Sequence, residues 1–251
     1  MIRKLGKLPA RPEAVRFKFG SFFDASKLPP TPAQFGNFSS IAEWGQFAND
    51  KYSDCVFAGA AHETMVYLSQ AGEFAAFNDA CVLSDYSAVT GFNAADLTTD
   101  QGTDLLSAAS YRRKTGVVDA SGVRHKVDAY VAIKTGDLDE LARAAFLFGA
   151  VGVGFQLPSS AEGQFDAQRP WTIVEGDQID GGHYVPIIGR NSAGNFLGIT
   201  WGRLHAITPE FVAQYMDEGI AYLSLEFLKN NISPEGVALD QLQQQLGALA
   251  A

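Results

Sequence analysis

The spacing of apolar residues changes from helical to alternating partway along this chain, and that order limits the folds open to it. Val56, Ala60, Met65 and Leu68 recur at helical spacing after "NDKYSDC", and Gly72 marks the stop. Further helical stretches are expected near 75–90 and near 103–114. The second follows the turn "TTDQGTD", where Thr98 or Asp100 is placed to cap it. "KVDAYVAI" alternates as a strand, and "DLDELARAAFLFG" reads as a capped amphipathic helix ending at Gly149. "VGVGFQLP", "GHYVPIIG" and "NFLGITWG" are strand-like runs separated by Gly, Asn and Ser turns. Helices first and strands afterwards give an α+β class.

Three stretches are expected along the chain. Residues 1–43 read as an extended arm: Pro9, Pro12, Pro29, Pro30 and Pro32 forbid long helices, while "VRFKF" at 15–19 alternates like a short strand. Phe17, Phe19, Phe22, Phe23, Phe35 and Phe38 argue that this arm lies against something rather than remaining disordered. Residues 44–225 form the body, helical over about 44–120 and strand-rich over about 121–225. Residues 226–251 are a tail in which "LDQLQQQLGALA" reads as a short helix.

Apolar residues make up 47% of the 251, enough for a proper core, and no apolar run reaches the roughly 18–20 residues of a membrane span. Net charge is −9, unevenly spread. Residues 1–18 carry six bases against Glu13, a net +5, which leaves 13 bases against 27 acids, a net −14. An acidic body is a poor nucleic-acid binder, whereas a basic arm suits docking on an acidic surface, its own or a partner's. Two cysteines, Cys55 and Cys81, make no disulfide framework. "MIRKLGKLPARP" has charge but no apolar core of a secretory signal, so a cytoplasmic location is expected. Two cysteines and four scattered histidines show no zinc spacing, and no metal or other cofactor is expected.

Cys55 stands where a helix begins, which is where a thiol becomes a thiolate and a nucleophile. Its base would be one of four histidines. His62 is seven residues on, roughly 10 Å along the helix, and reads as a packing residue. His125, between Arg124 and Lys126, reads as surface, and His205 as loop. His183 opens a strand directly after "DGG", where Gly182 and its small neighbours leave room for a substrate.

From about Trp44 to Ser224 the order of elements resembles the papain-like cysteine peptidases. The cysteine helix comes first. "TDQGTDLLSAASYRRKTGV" is similar to the family's Gly-Gly strand and following helix, "DELARAAFLFGAVGVGFQLP" to its helix and "GPV-x-V" strand, "GGHYVPIIGR" to "DHAVLIVGY", and "GITWG" to "KNSWG". "ND-x-x-x-DC", "YSAVTGF" and "DQGTD" more particularly resemble short papain-like proteins of bacteria and phages, which implies a virion component as an alternative. The resemblance implies a two-lobed fold with Cys55 on the helical lobe and His183 on an antiparallel, barrel-like β lobe. It implies Cys55 as nucleophile, His183 as base, Asn49 in place of the oxyanion glutamine with Gln46 as substitute, Gly102 and Gly182 along bound peptide, and Trp201 shielding the histidine.

Several positions depart from the family pattern. Tyr52 replaces the first cysteine of "C-G-S-C-W", so its disulfide is absent. Asp54 is a negative charge beside the thiol, which disfavours a thiolate. In an ungapped match the third triad member, an asparagine, falls on Ile199, which cannot orient an imidazole. Thr200 is expected on the opposite face of the strand, and Asn191 or Asn195 reaches back only with a register shift. No propeptide of the family's usual length precedes Cys55, and the arm would act as an internal inhibitor if it covers the cleft. Two functions follow: a Cys55–His183 peptidase or amide hydrolase acting on peptides or proteins, with weakened activity, or a catalytically inactive papain-like binding or structural module whose arm contacts other copies or viral-particle subunits.

Overall fold

A computed structural model describes residues 3–11, 15–23, 28–36 and 38–227; the tail helix expected beyond 226 lies outside the described residues. The chain runs α1 (Phe19–Phe22), α2 (Cys55–Ala71), α3 (Asp79–Thr90), α4 (Leu105–Lys114), β1 (Val117–Val118), β2 (Arg124–His125), β3 (Ala129–Ala132) and α5 (Leu138–Phe148). It continues through β4 (Val151–Pro158), α6 (Ser160–Asp166), β5 (Ile179–Arg190), β6 (Phe196–Thr200), β7 (Arg203–Ile207), α7 (Pro209–Tyr215) and β8 (Met216–Leu223). The α+β order is as the periodicity implies.

Local chemistry explains the boundaries. Asn78 accepts from the Cys81 amide to start α3, Asp137 from the Glu140 amide to start α5, and Gly72 closes α2 in the left-handed region at φ 80°. The cap of α4 is Asp104, accepting from the Ser107 amide, not the expected Thr98 or Asp100. Only the residue immediately before the first turn has the reach to do this. "VRFKF" does not form a strand: Lys18 makes one parallel bridge to Ala132, and the one-turn helix α1 follows at once.

The strand half is one antiparallel sheet in the order β3-β8-β4-β5-β6-β7. Two strands, β7 and β8, come from sequence whose alternation is too weak to read. His205, expected in a loop, lies in β7 and packs against Phe165 and Trp171, with ring centroids 5.2 and 5.1 Å away. His125, expected at the surface, is buried in β2 between Asp119 (3.2 Å) and Glu226 (2.9 Å), an acid 101 residues away that local sequence cannot reveal.

The helix α2 is buried on every side from Cys55 to Leu68, as a helix apolar all round must be. It lies on β5, where Gly59 leaves room for the Tyr184 ring. Its one buried acid, Glu63, pairs with Arg112 of α4 and accepts from the Tyr184 hydroxyl at 2.7 Å, so three elements converge on one carboxylate. Arg112 also stacks on Tyr222 of β8, 3.9 Å from its ring centroid. Among the described residues no helix is long and apolar enough to cross a membrane.

Removing one partner strands the other charge in the core. Arg112→Met is therefore expected to destabilise the fold by roughly 3–5 kcal/mol in urea unfolding, and Arg112→Met with Glu63→Gln by clearly less than the two single losses combined. Additive losses would contradict the account.

Candidate active site

Cys55 is the first residue of α2, and Asp54 is its N-cap, whose carbonyl accepts from the Phe57 and Ala58 amides. The preceding loop is held in an unusual shape: Phe47 and Ala48 both have positive φ, 56° and 66°. Asp100 anchors the same loop by accepting from the Ser53 amide at 3.0 Å. It also accepts from the Tyr86 hydroxyl at 2.8 Å, and that hydroxyl in turn accepts from the Gly102 amide. One carboxylate thus fixes the cysteine turn and the edge at Gly102 together.

His183 lies in β5, fully buried, with Trp201 stacked on its ring at 4.8 Å and 21°. Its Nε2 is 2.8 Å from Thr200 Oγ1, and its Nδ1 has no hydrogen-bond partner. Thr200 therefore holds the imidazole, contrary to the expectation from strand alternation. The cause is a register shift between Ile187 and Gly189 where β5 pairs with β6. It moves β6 by one residue, so Gly198 faces Val185 and Ile187, and Thr200 shares the face of His183. Ile199 is buried elsewhere in the core. Trp201 follows at φ 46°, which ends the strand and turns the indole over the imidazole.

The backbone amides of Tyr184 and Gly6 face the Cys55 sulfur. Gly6 belongs to the arm, and it is why the cleft is closed. The arm crosses between the two lobes: Gly6 O accepts from the Thr103 amide (2.8 Å), the Lys7 amide donates to Gly182 O (3.0 Å), and the Leu8 amide donates to Thr103 O (3.1 Å). The pairing of Lys7 with Thr103 is parallel. A Cβ on Gly6 would overlap the Ser53 carbonyl, one on Gly102 the Gly6 carbonyl, and one on Gly182 the Lys7 carbonyl. Three glycines thus permit a backbone-to-backbone fit. Ahead of them, Arg3 sits 4.8 Å over the Trp201 ring and pairs with Asp166 at 2.6 Å.

Burial governs the charges. It pushes the Cys55 thiol up to about 12, despite the lowering by the Tyr184 and Gly6 amides. It pushes His183 down to about 3, with the Arg3 charge adding to the effect. Thiol and imidazole are therefore both neutral while the arm is docked. Asp54 is buried and held well above the usual carboxylate range by burial, offset by a 3.2 Å hydrogen bond from the Asn49 amide. The expected repulsion between Asp54 and a thiolate is weakened accordingly. That same bond turns Asn49 towards Asp54. Gln46 is instead exposed at the cleft rim beside Gly202.

His62 is a packing residue as expected, its Nε2 3.0 Å from the Trp44 and Gly45 carbonyls. Tyr52, standing where the family has its first cysteine, packs on Phe92 at 4.9 Å. Cys81 lies away from this site at the start of α3, and both cysteines are free. No cluster of three or more metal-ligating side chains occurs among the described residues. Thr200 escaped the sequence because the bulge hides its face, and the seating of residues 3–8 in the cleft was left open there, with the +5 charge and the apolar content of the arm as its signals.

No protein-family model matches the chain, and no curated protein matches it. Solved structures do. Xylellain, a cysteine protease from Xylella fastidiosa, aligns with a TM-score of 0.64 at 13% identity, over 89% of this chain and 98% of that one. Procathepsin B S9 from Trypanosoma congolense aligns with a TM-score of 0.62 at 14% identity, over 88% and 87%. Digestive procathepsin L 3 from the larval midgut of Tenebrio molitor aligns with a TM-score of 0.55 at 16% identity, over 88% and 76%. The fold is papain-like.

Three histidines stay neutral in the folded chain, His183 to about pH 3 and His62 and His205 to about pH 4. Each is protonated below about pH 6.5 in the unfolded chain, so the unfolded state binds more protons and stability falls as pH drops from 6.5 towards 4. His183→Gln is expected to reduce that slope by about 1.4 kcal/mol per pH unit in urea unfolding between pH 6 and 4. An unchanged slope would mean that His183 is already charged when folded.

Proposed function

We propose that the chain is a cysteine peptidase or related amide hydrolase whose cleft is held shut by its own arm. The observation that carries this reading is the neighbourhood of Cys55: a helix N-terminus, the amide next to a buried His183, and a histidine held by Thr200 and capped by Trp201. With the arm displaced, water reaches both groups and the burial that keeps them neutral is relieved. The helix N-terminus then favours a thiolate by about 0.3–1 kcal/mol, more when partly buried.

The reaction follows from the atoms available. Cys55 Sγ yields its proton to His183 Nδ1 and attacks the carbonyl carbon. Nδ1 passes that proton to the leaving nitrogen as the C–N bond breaks. A water then gives a proton to His183 Nδ1 as its oxygen attacks the thioester carbonyl; the C–S bond breaks, the acid leaves, and Nδ1 returns the proton to Cys55 Sγ. Thr200 keeps Nε2 occupied, which leaves Nδ1, without a hydrogen-bond partner in the structure, as the ring nitrogen that takes the proton. The Cys55 amide is one oxyanion donor. Asn49 Nδ2 carries a second hydrogen beyond the one given to Asp54 and serves as the second donor where that hydrogen faces the cleft, and Gln46 is the other amide on that side. A donor aimed elsewhere costs roughly 10²–10³ in rate.

The engagement of Asn49 with Asp54 favours one other reading, an inactive papain-like module that uses the cleft for binding. Gly6→Ala separates the two, because its methyl overlaps the Ser53 carbonyl and unseats the arm while every residue of the cleft walls keeps its identity. The expected outcome is at least tenfold faster hydrolysis of a mixed peptide pool by the Gly6→Ala protein than by the unaltered chain, abolished by Cys55→Ser. No hydrolysis by a folded Gly6→Ala protein would favour the binding module.

A further inference from the structure

The arm delivers one side chain into a pocket, and that pocket is built for charge. Lys7 exposes none of its side chain, and its ammonium donates to Asp217 Oδ2 at 2.8 Å and to the Leu8 carbonyl at 3.0 Å, with Glu218 Oε1 3.1 Å away. Both acids belong to β8, at the end that pairs with β4. Gln156 of β4 donates to Asp217 Oδ2 at 2.6 Å and holds that carboxylate in place. The aliphatic stem crosses β4 at Gly154, where a Cβ would overlap Lys7 Cε. The pocket thus supplies a glycine for the stem and two carboxylates for the head.

Two features distinguish this arrangement from an ordinary ion pair inside a fold. The cationic partner comes from the arm, while every wall residue comes from the body and stays when the arm leaves. The Lys7 backbone also lies on the cleft edges themselves, Gly182 on one side and Thr103 on the other, one residue from the glycine that covers Cys55. With the arm docked the two acids are 16% and 12% exposed and pair with Lys7, the partner that they would lose if the arm left. Such a site repels acidic side chains and leaves an apolar one facing unpaired carboxylates.

We infer that the Gly154–Asp217–Glu218 pocket is a side-chain subsite that selects a lysine or arginine of a bound peptide, and that Lys7 is its resident occupant. The inference rests on the proposed reading of the cleft as a peptide site. It adds the chemical class of what that site takes: a peptide with a cationic side chain next to the residue over Cys55. Arginine fits as well as lysine, since a guanidinium can address both carboxylates at once.

The test reads alkylation of Cys55 by iodoacetamide in the full chain carrying Cys81→Ser, by intact mass at pH 7.5. Lys7→Arg should alkylate within threefold of the unaltered arm, Lys7→Met at least tenfold faster, and Asp217→Asn with Glu218→Gln as fast as Lys7→Met. Two nine-residue peptides matching residues 3–11, one with lysine at the position of Lys7 and one with norleucine, are then added to the Lys7→Met protein. The lysine peptide should slow alkylation at a concentration at least tenfold lower than the norleucine peptide. That advantage should vanish when Asp217→Asn and Glu218→Gln are added. Unchanged alkylation in a folded Lys7→Met protein, equal protection by both peptides, or protection by neither overturns the inference. No step requires turnover, so an inert Cys55–His183 pair would leave these outcomes readable.

Discussion

Everything at the site depends on how closely the backbone at Gly6 approaches the turn before Cys55. No side chain larger than hydrogen fits between Gly6 and the Ser53 carbonyl. The arm can therefore lie deep enough to hydrogen-bond Thr103 on one lobe and Gly182 on the other. At that depth it excludes water from the thiol and the imidazole. The buried Lys7, Arg3 over Trp201 and the pairing of Arg11 with Asp104 then fasten it at successive points. Close fit comes first, and charge holds what the fit has positioned.

The electrostatic consequence is a thiol and an imidazole that are both held neutral. A thiolate and an imidazolium stabilise each other only where solvent or donors support both charges. Under the arm burial outweighs the support that the Tyr184 and Gly6 amides give the sulfur, and both groups stay neutral. Thr200 suits this state as well as the open one, because a hydroxyl donates to a neutral ring nitrogen and accepts from a protonated one. The basic arm and acidic body, +5 against −14 from sequence, meet most directly at Lys7 with Asp217 and Glu218.

Much of this was legible beforehand because it rests on local rules. The helix at Cys55, its stop at Gly72, the cap at Asp137, the strand carrying His183 and the strand that ends just before Trp201 follow from period, capping and glycine position. What escaped depended on distant partners. Thr200 faces His183 because of a bulge at Ile187–Gly189, and strand alternation read across a bulge assigns the wrong face. His125 is buried by Asp119 and Glu226, although its neighbours Arg124 and Lys126 suggest solvent. Asn49 sits at the expected offset from Cys55, yet its amide serves Asp54, whose burial nothing nearby announces. The prolines and phenylalanines of the arm indicate extended chain lying on a surface, and the surface turns out to be the cleft.

The central claim is that the arm, rather than the residues themselves, keeps Cys55 and His183 neutral. The most direct test is the rate of Cys55 alkylation against pH in the unaltered chain and in Gly6→Ala, both carrying Cys81→Ser. The account predicts a slow rate in the unaltered chain that still climbs above pH 9. In Gly6→Ala it predicts a plateau extending below about pH 6 that disappears when His183→Ala is added. A Gly6→Ala profile that rises only near pH 8.5 and ignores His183 would contradict it, because the pair would then be an ordinary thiol beside an ordinary histidine.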